Sequence, residues 1–525
     1  MVKSKFAAGG RKGSVILFSY LCIGALFAVT RLWQLAVLPL GLHIDEVSMA
    51  YSAWCLAEYG VDWHLKSWPV YFINFGGGQN ALYIYCCAIL FKAFGFHYFL
   101  IRLPAVLFSL VNLVFGIKLV RRIAPENPWM PVFAGVIATV CPYFIMAARF
   151  GLESGLMLGV STLFLYCFVG AVQSGRIRYY AAAGFAGGLL LYTYAPTYII
   201  LPLFLLLSLA YVVRVRKFSL AGWAAMAVPM FFLAVPLILE QMVNAFDWPE
   251  MHIGPFTVTK LLFYRASEIG AITADKFVTA LRSTFIGDSL NYNSIAGIPN
   301  LYGVSIVLFI IGLAVSLWNM VWSVKRGNFS AGTFVLIWFA AVFFFECHIY
   351  SNVNKINGIF MAYAIIAAEG LKLLDNLKRL RRWAYCGMFA LYMAAFARFG
   401  TYYFGGDYTA ENFPLAFFNM VVSDGVRFIE ENEQIQGQGT WISEKDMYFA
   451  LSILRSPYEL RMFEDHEEDG FYSYYHCGGL PAVTEGYNYI VRDGFDEYCQ
   501  ELRAKGYLEI DYVGYSLFYQ DTPAE

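Results

Sequence analysis

Leu82-Tyr83-Ile84-Tyr85-Cys86-Cys87-Ala88-Ile89-Leu90-Phe91-Lys92-Ala93-Phe94-Gly95 is a run of about 14 residues, apolar but for Lys92. Whether it crosses a membrane decides on which side every later segment lies. A spanning helix needs roughly 20 apolar residues, so a run this short reads as interfacial or re-entrant. If it spanned, each later basic loop would fall on the outer side, against the positive-inside rule. The stretch is therefore expected to lie along or shallowly in the outer leaflet, with both its ends on one face.

Outward from it, the chain reads as membrane-embedded. Of its 525 residues, 59% are hydrophobic and 14% charged, against roughly 25% charged in soluble domains. Apolar segments of spanning length are expected at 15–37, 100–120, 129–147, 155–172, 179–194, 197–213, 220–239, 301–324, 333–349, 356–374 and 383–404. The first is too long, and lacks the small-residue cleavage site, for a removable signal peptide; Arg31 near its outer end is expected to snorkel to the interface. With the 82–95 run kept on one side, 19 lysines and arginines fall in the N-terminus and the connections around residues 121, 176, 216, 325 and 380, against only Glu126 and Asp375. That asymmetry places the N-terminus in the cytoplasm.

The far end of the chain differs. From Asp407 to Glu525 there are 23 acidic residues and 7 basic ones, a balance of −16, which leaves +15 on the remainder of a chain carrying −1. Residues 405–525 read as a water-facing α/β domain. Helical patterns are expected at 413–431, 446–455 and 495–505, and strands at 440–443, 459–463, 487–492 and 508–519. The fold expected is an all-α polytopic membrane protein with about eleven transmembrane helices and an extracytoplasmic C-terminal α/β domain. Residues 1–13 form a cytoplasmic N-terminus and 14–404 the transmembrane domain, with outer loops at 38–99 and 240–300. The setting this implies is a bacterial plasma membrane. Ten cysteines give no metal signature, and Cys477 and Cys499, in one outer domain, are a possible pair in an oxidising compartment. No basic patch points to nucleic acid.

Chemistry is expected in the outer loops. His43-Ile44-Asp45-Glu46 opens the first of them. An acid before a helix caps free N–H groups; a carboxylate held at the membrane surface also accepts a proton from a hydroxyl. Adjacent helical positions point about 100° apart, so Asp45 and Glu46 do not share one task. Glu153 and Arg149 follow Pro142 at the next outward turn, where a carboxylate pair with an arginine suits a phosphate-bearing substrate; snorkelling explains Arg149 equally well. His64, Gln79, Asn80, Tyr194 and Tyr292 are further outward candidates, with Lys355 as a cation for phosphate. An interfacial aromatic belt also explains Tyr192, Tyr194 and Tyr198, and the glycines Gly76-Gly77-Gly78 lack the strand-and-helix frame of a nucleotide loop.

The ordered set resembles the GT-C superfamily of membrane glycosyltransferases, nearest the protein O-mannosyltransferase and aminoarabinose-transferase branch that uses polyprenyl-phosphate sugars. The residues that carry it are Asp45-Glu46, Gly78-Gln79-Asn80-Ala81-Leu82-Tyr83, Arg102-Leu103-Pro104-Ala105, Arg121-Arg122, Pro142 with Arg149, Glu153, Asp288-Ser289-Leu290-Asn291-Tyr292-Asn293 and Asn354-Lys355-Ile356-Asn357. It covers about the first 375 residues. Gln79-Asn80 stands where relatives often carry His-Pro, and Glu153 where many carry Asp.

The resemblance implies a sugar moved from a polyprenyl-phosphate donor to an acceptor hydroxyl of a glycan, lipid or protein on the extracytoplasmic face, with inversion. Asp45 would be the base, Glu46 and Glu153 further candidate catalytic acids, and Arg149 and Lys355 ligands of the lipid-linked phosphate. No cofactor is strictly required in that scheme, with room left for a divalent cation whose ligands the sequence does not name. A transporter or lipid flippase is the alternative from another class: it accommodates many spans and buried acids such as Glu346 and Glu369, but not two long outer loops and an outer domain. A non-catalytic assembly or receptor protein is a third reading, and a polysaccharide polymerase or ligase a further one among enzymes.

Overall fold

The structure, a computed structural model, describes residues 10–520 other than 75–76, 262–268, 291, 293, 413–417, 420, 436, 444–445 and 459–473. The expected strand at 459–463, part of the helix expected from 413, and Gly76, Asn291 and Asn293 lie outside the described residues. Helix α1 (Gly10–Leu32) is followed by strand β1 (Leu42–His43), α2 (Ile44–Tyr59), the hairpin β2 (Tyr71–Asn74) and β3 (Gly77–Asn80), and α3 (Ala81–Phe94). The helical body continues with α4 (Tyr98–Ile123), α5 (Trp129–Val140), α6 (Pro142–Met146), α7 (Glu153–Ser174), α8 (Ile177–Leu191), α9 (Thr197–Arg214) and α10 (Leu220–Ala245). A hairpin of β4 (Met251–Ile253) and β5 (Phe256–Val258) and the helix α11 (Ala274–Phe285) precede α12 (Tyr302–Arg326), α13 (Gly332–Glu346), α14 (Phe360–Gly370) and α15 (Arg381–Phe404).

The decisive stretch is α3, whose 14 residues rise about 21 Å at 1.5 Å each, short of a hydrocarbon core of ~30 Å. Helices α4 and α7 run parallel: Asn112 accepts from Thr162 at 2.7 Å, and Arg122 lies against Gly170. Their first turns therefore share one end of the body. Asn80, before α3, bonds Glu153 at the start of α7, and Tyr98, just after α3, opens α4. The chain thus enters and leaves α3 at the same end. The basic connections gather at the other: Arg122 stacks on Tyr166 and Tyr179, Asn127 donates to Asp375 at 3.2 Å, and the Tyr211 hydroxyl pairs with Ser323 at 2.6 Å.

All eleven expected apolar segments contain helix. Seven helices are long and apolar enough to cross a membrane among the described residues; α5 and α13 are apolar but shorter. The segment at 129–147 breaks into α5 and α6 because Pro142 has no N–H for the Ala138 carbonyl. Arg31, expected to snorkel, is fully buried and fills that gap. Its guanidinium donates to the carbonyls of Ala138 (2.9 Å), Thr139 (2.5 Å) and Phe144 (3.0 Å). A charge is kept inside because the broken helix supplies its acceptors. Elsewhere glycine sets the spacing: a Cβ on Gly312 would lie 1.8 Å from the Ile366 carbonyl oxygen, and one on Gly370 2.2 Å from that of Leu308. Helices α12 and α14 consequently meet backbone to backbone.

The C-terminal domain holds α16 (Asp407–Asn412), β6 (Phe418–Asn419), α17 (Ser423–Glu431), β7 (Gly439–Ile442), α18 (Asp446–Ile453), β8 (Tyr475–Cys477), β9 (Tyr487–Arg492), α19 (Asp496–Ala504), β10 (Leu508–Tyr512) and β11 (Tyr515–Tyr519). Five strands form a mixed sheet in the order β10-β11-β9-β7-β8, with β7 parallel to both neighbours. The single strand expected at 508–519 is a hairpin, turned at Gly514 with φ 89°. Alternation puts Ile442, Ile490 and Leu517 in one cluster and Tyr489, Val491 and Phe518 in another, one on each face. Cys477 packs with the first and Cys499 with the second, on opposite faces of the sheet. The domain docks on the helical body through α18: Ala450 and Leu451 are buried with Tyr51 and Trp54 of α2, and the Tyr51 hydroxyl donates to the Arg455 carbonyl at 2.7 Å. Strand β6 pairs antiparallel with β1 beside it.

Candidate active site

The site begins at the first turn of α2. His43 is its N-cap: the ring Nδ1 accepts from the Asp45 N–H at 3.1 Å, while the His43 N–H donates to Glu46 Oε2 at 2.8 Å, a reciprocal cap. This arrangement sends the neighbouring acids to different fates. Glu46 is fully buried, with Oε1 accepting from Arg102 Nε (2.9 Å) and the Gly151 N–H (2.6 Å). Arg102, buried too, also donates to the carbonyls of Leu35, Pro39 and Gly41. Glu46, expected among the catalytic acids, has both oxygens engaged inside the fold, Oε2 accepting also from Arg102 Nη2 at 3.2 Å, which ties it to the turn after α1. Asp45 is about one-third exposed, its Oδ1 accepting from Asn74 Nδ2 at 3.0 Å. Its Oδ2 has no hydrogen-bond donor among the described residues, the His43 Nδ1 at 3.6 Å already being an acceptor. Such an oxygen can take a proton from a substrate hydroxyl.

The hairpin β2–β3 links this carboxylate to the second. Asn74 at its turn end holds Asp45, and the Asn80 N–H at its open end donates to Glu153. The Asn74–Gly77 and Tyr71–Asn80 pairs are three residue steps apart, roughly 10 Å at ~3.3 Å each, so the hairpin holds the two acids from its opposite ends. Gly78 is required there: a Cβ would fall 1.9 Å from the Tyr71 ring. The Asn80 amide is buried, and with its nitrogen facing acceptors it donates to the Tyr198 hydroxyl (2.9 Å) and the Leu191 carbonyl (3.0 Å) while accepting from the Ala195 N–H (3.0 Å). Gln79, beside it, is buried opposite Phe72.

A small cleft is lined by Tyr143, Phe150, Ser154, Tyr292, Asn354 and Asn357 among others; Ser154 follows Glu153 in the chain, but neither carboxylate lines it. The Tyr292 ring lies 4.9 Å from that of His43 and 6.0 Å from that of Phe150. Burial, then Asp288 and Asp45, push the Tyr292 phenol well above its usual range, so it stays a neutral donor. Burial also lowers His43, against the opposite pull of Asp45 and Glu46. Asn357 accepts from the Tyr143 hydroxyl at 2.6 Å, and Asn354 accepts from Ser154. Asp288 ties this side down through the Val353 N–H at 2.7 Å. Lys355, half-buried, lies in the 3₁₀ turn Val353–Ile359, which Asn352 caps. Among the described residues, no three His, Cys, Asp or Glu side chains cluster to hold a metal ion.

Other expected ligands sit elsewhere. Arg149 is buried, and its two Nη nitrogens donate to the carbonyls of Thr30, Trp33, Gln34 and Leu38 at the end of α1. A helix C-terminus leaves carbonyls unsatisfied, and Arg149 fills them; pairing with a phosphate would require it to leave them. His64 is in a turn organised by Asp62, its ring 4.0 Å from that of Trp63. Tyr194 lies in the α8–α9 turn, where its carbonyl accepts from Thr197; it is Tyr198, read as part of an aromatic belt, that reaches Asn80. Asn74, Tyr143 and Ser154 were not anticipated. Their partners are distant in sequence, and only Arg102, a lone cation at the head of an apolar run, advertised a buried acid.

Residues 79–239, from the hairpin through α10, match the family described as dolichyl-phosphate-mannose-protein mannosyltransferase. The match spans under a third of the chain. The resemblance and the enzyme class expected from the sequence are thereby borne out. No curated protein sequence matches the chain. Among solved structures, ArnT from Cupriavidus metallidurans in the apo state has a TM-score of 0.59 at 13% identity, over 97% of this chain and 98% of that one. The same protein bound to undecaprenyl phosphate gives 0.56 at 13% identity with equal coverage. The archaeal oligosaccharyltransferase AglB from Archaeoglobus fulgidus, in complex with an inhibitory peptide and a dolichol-phosphate, gives 0.50 at 13% identity, over 98% of this chain and 75% of that one. These likenesses carry the fold, that of a multi-pass membrane protein with a C-terminal sheet domain.

Proposed function

We propose that the protein moves a sugar from a polyprenyl-phosphate donor to an acceptor hydroxyl on the extracytoplasmic side, with Asp45 as general base. The observation that carries this reading is the Asp45 carboxylate, about one-third exposed, with one oxygen held by Asn74 and the other without a hydrogen-bond donor among the described residues. In the scheme, Asp45 Oδ2 takes the acceptor proton as the hydroxyl oxygen bonds to the anomeric carbon. The bond from that carbon to the phosphate oxygen breaks on the opposite side, which inverts the centre and releases the lipid phosphate. Lys355 is the cation proposed to offset charge on the leaving phosphate. No step calls for a metal, and the described residues offer no cluster for one.

The topology proposed with it has eleven crossings: the seven long helices, α8, α13 and α15, and α5 together with α6. The N-terminus and basic connections then face the cytoplasm, and the end that carries Asp45, Glu153 and the C-terminal domain faces outward. The test is transfer of radiolabel by the purified protein from undecaprenyl-phosphate-linked mannose, glucose, galactose and aminoarabinose into an envelope extract, with product mass measured. Transfer from at least one donor, abolished by Asp45→Asn, is expected. An inert wild type, or a fully active Asp45→Asn variant, overturns the reading.

A further inference from the structure

Asn74 occupies a position that its role as a strand residue does not explain. It is 8% exposed, on the last residue of β2, and its Nδ2 donates to Asp45 Oδ1 at 3.0 Å. Its own Oδ1 is buried without a hydrogen-bond partner among the described residues. A buried amide oxygen with no donor is costly and uncommon in native proteins. Strand β2 spends backbone groups, not this side chain, on its pairing with β3. The amide therefore holds the carboxylate with one end and keeps an unfilled acceptor at the other.

We propose that Asn74 is a positioning residue for the transfer reaction: its Nδ2 fixes Asp45 Oδ1 and so turns Oδ2 toward the acceptor hydroxyl. This rests on the reading of Asp45 as base. Loss of Nδ2 would free the carboxylate to rotate, so that Oδ2 meets the acceptor hydroxyl in the productive geometry less often. The titratable and charged groups around that carboxylate are His43 on β1, Glu46 with its partner Arg102 from α4, and Tyr292 from the loop before α12. Glu46 is paired and Tyr292 stays protonated, while His43 belongs to the cap; none of them substitutes for the Asn74 amide.

The experiment measures kcat and KM for sugar transfer by wild type, Asn74→Ala, Asn74→Asp and Asp45→Asn, using the donor that the wild type turns over. Asn74→Ala is expected to lower kcat roughly 10- to 100-fold with the donor KM unchanged. Asn74→Asp, which removes the donor and sets a like charge against Asp45, is expected to lower kcat at least as far. Wild-type kcat in both Asn74 variants, with Asp45→Asn inactive, overturns the inference and leaves Asp45 as base. An active Asp45→Asn variant overturns the underlying reading, and an inert wild type overturns both. If Asn74→Ala does not accumulate in membranes, Asn74→Ser and Asn74→Asp, which keep a polar group there, carry the same comparison.

Discussion

Two neighbouring acids on the first turn of α2 meet opposite environments. Glu46 lies on the inner side, fully buried, its oxygens accepting from Arg102 and two backbone N–H groups. Asp45, one residue earlier, is held at one oxygen by an amide and is about one-third exposed. The helix turns about 100° between them, and that rotation separates a carboxylate that builds the fold from one left available for chemistry. A charge whose every acceptor direction is filled stabilises its surroundings only by staying put. One with an unfilled direction can exchange a proton.

The sharpest way to test this contrast is to neutralise the two acids in parallel. Asp45→Asn should lower sugar transfer by about 1,000-fold or more, within the range general bases supply, while thermal stability in detergent stays near wild type. Glu46→Ala should do the reverse in kind: it strands the buried Arg102 guanidinium, at a cost of roughly 3–5 kcal/mol, read as loss of membrane accumulation and a lower Tm. A Glu46→Ala variant as stable as wild type would break the distinction.

Much of this architecture was legible because it depends on local pattern. All eleven apolar runs became helices, strand β9 matches the range expected from its alternation, and α3 has the length that its 14 residues implied. Asp45 stood out for a local reason as well, an acid placed at a helix start just beyond a span. The three buried arginines were harder to read. Arg31, Arg102 and Arg149 all serve carbonyls around the end of α1 or the break at Pro142, and those acceptors lie 60 to 120 residues away in the chain. Snorkelling was the local reading for Arg31, and phosphate binding a natural one for Arg149, because a sequence does not display which carbonyls a helix end leaves unfilled. Asn74 escaped for the same reason: its partner is 29 residues away.

Glu153 offers an intermediate case between the two acids of α2. Its carboxylate accepts from the Asn80 N–H and so anchors the open end of the hairpin whose other end holds Asp45. Glu153→Gln keeps the shape and removes the charge from that hydrogen bond, which is worth about 1–2 kcal/mol more than a neutral one. Transfer is expected to fall roughly tenfold, the rate equivalent of about 1.4 kcal/mol. The loss should come through kcat, since the hairpin delivers Asn74 to the base. A loss as deep as that of Asp45→Asn would instead make Glu153 a second proton-handling acid.

The smallest effect expected concerns the cap that sorts the two acids. His43 is buried and its Nδ1 accepts from the Asp45 N–H, so the fold favours the neutral ring and its pKa lies below the ordinary 6.5. The unfolded chain then binds a proton more readily than the folded one. The contribution of His43 to stability is complete above about pH 6.5 and is lost as the pH falls through the lower folded value. Part of any decline in Tm between pH 7 and pH 5 therefore belongs to this ring. His43→Asn retains a side-chain oxygen suited to an N-cap but does not titrate, and it should flatten that part of the decline by no more than a few degrees. Parallel declines in the two proteins would assign the acid sensitivity to other groups and leave His43 a cap whose charge state does not matter.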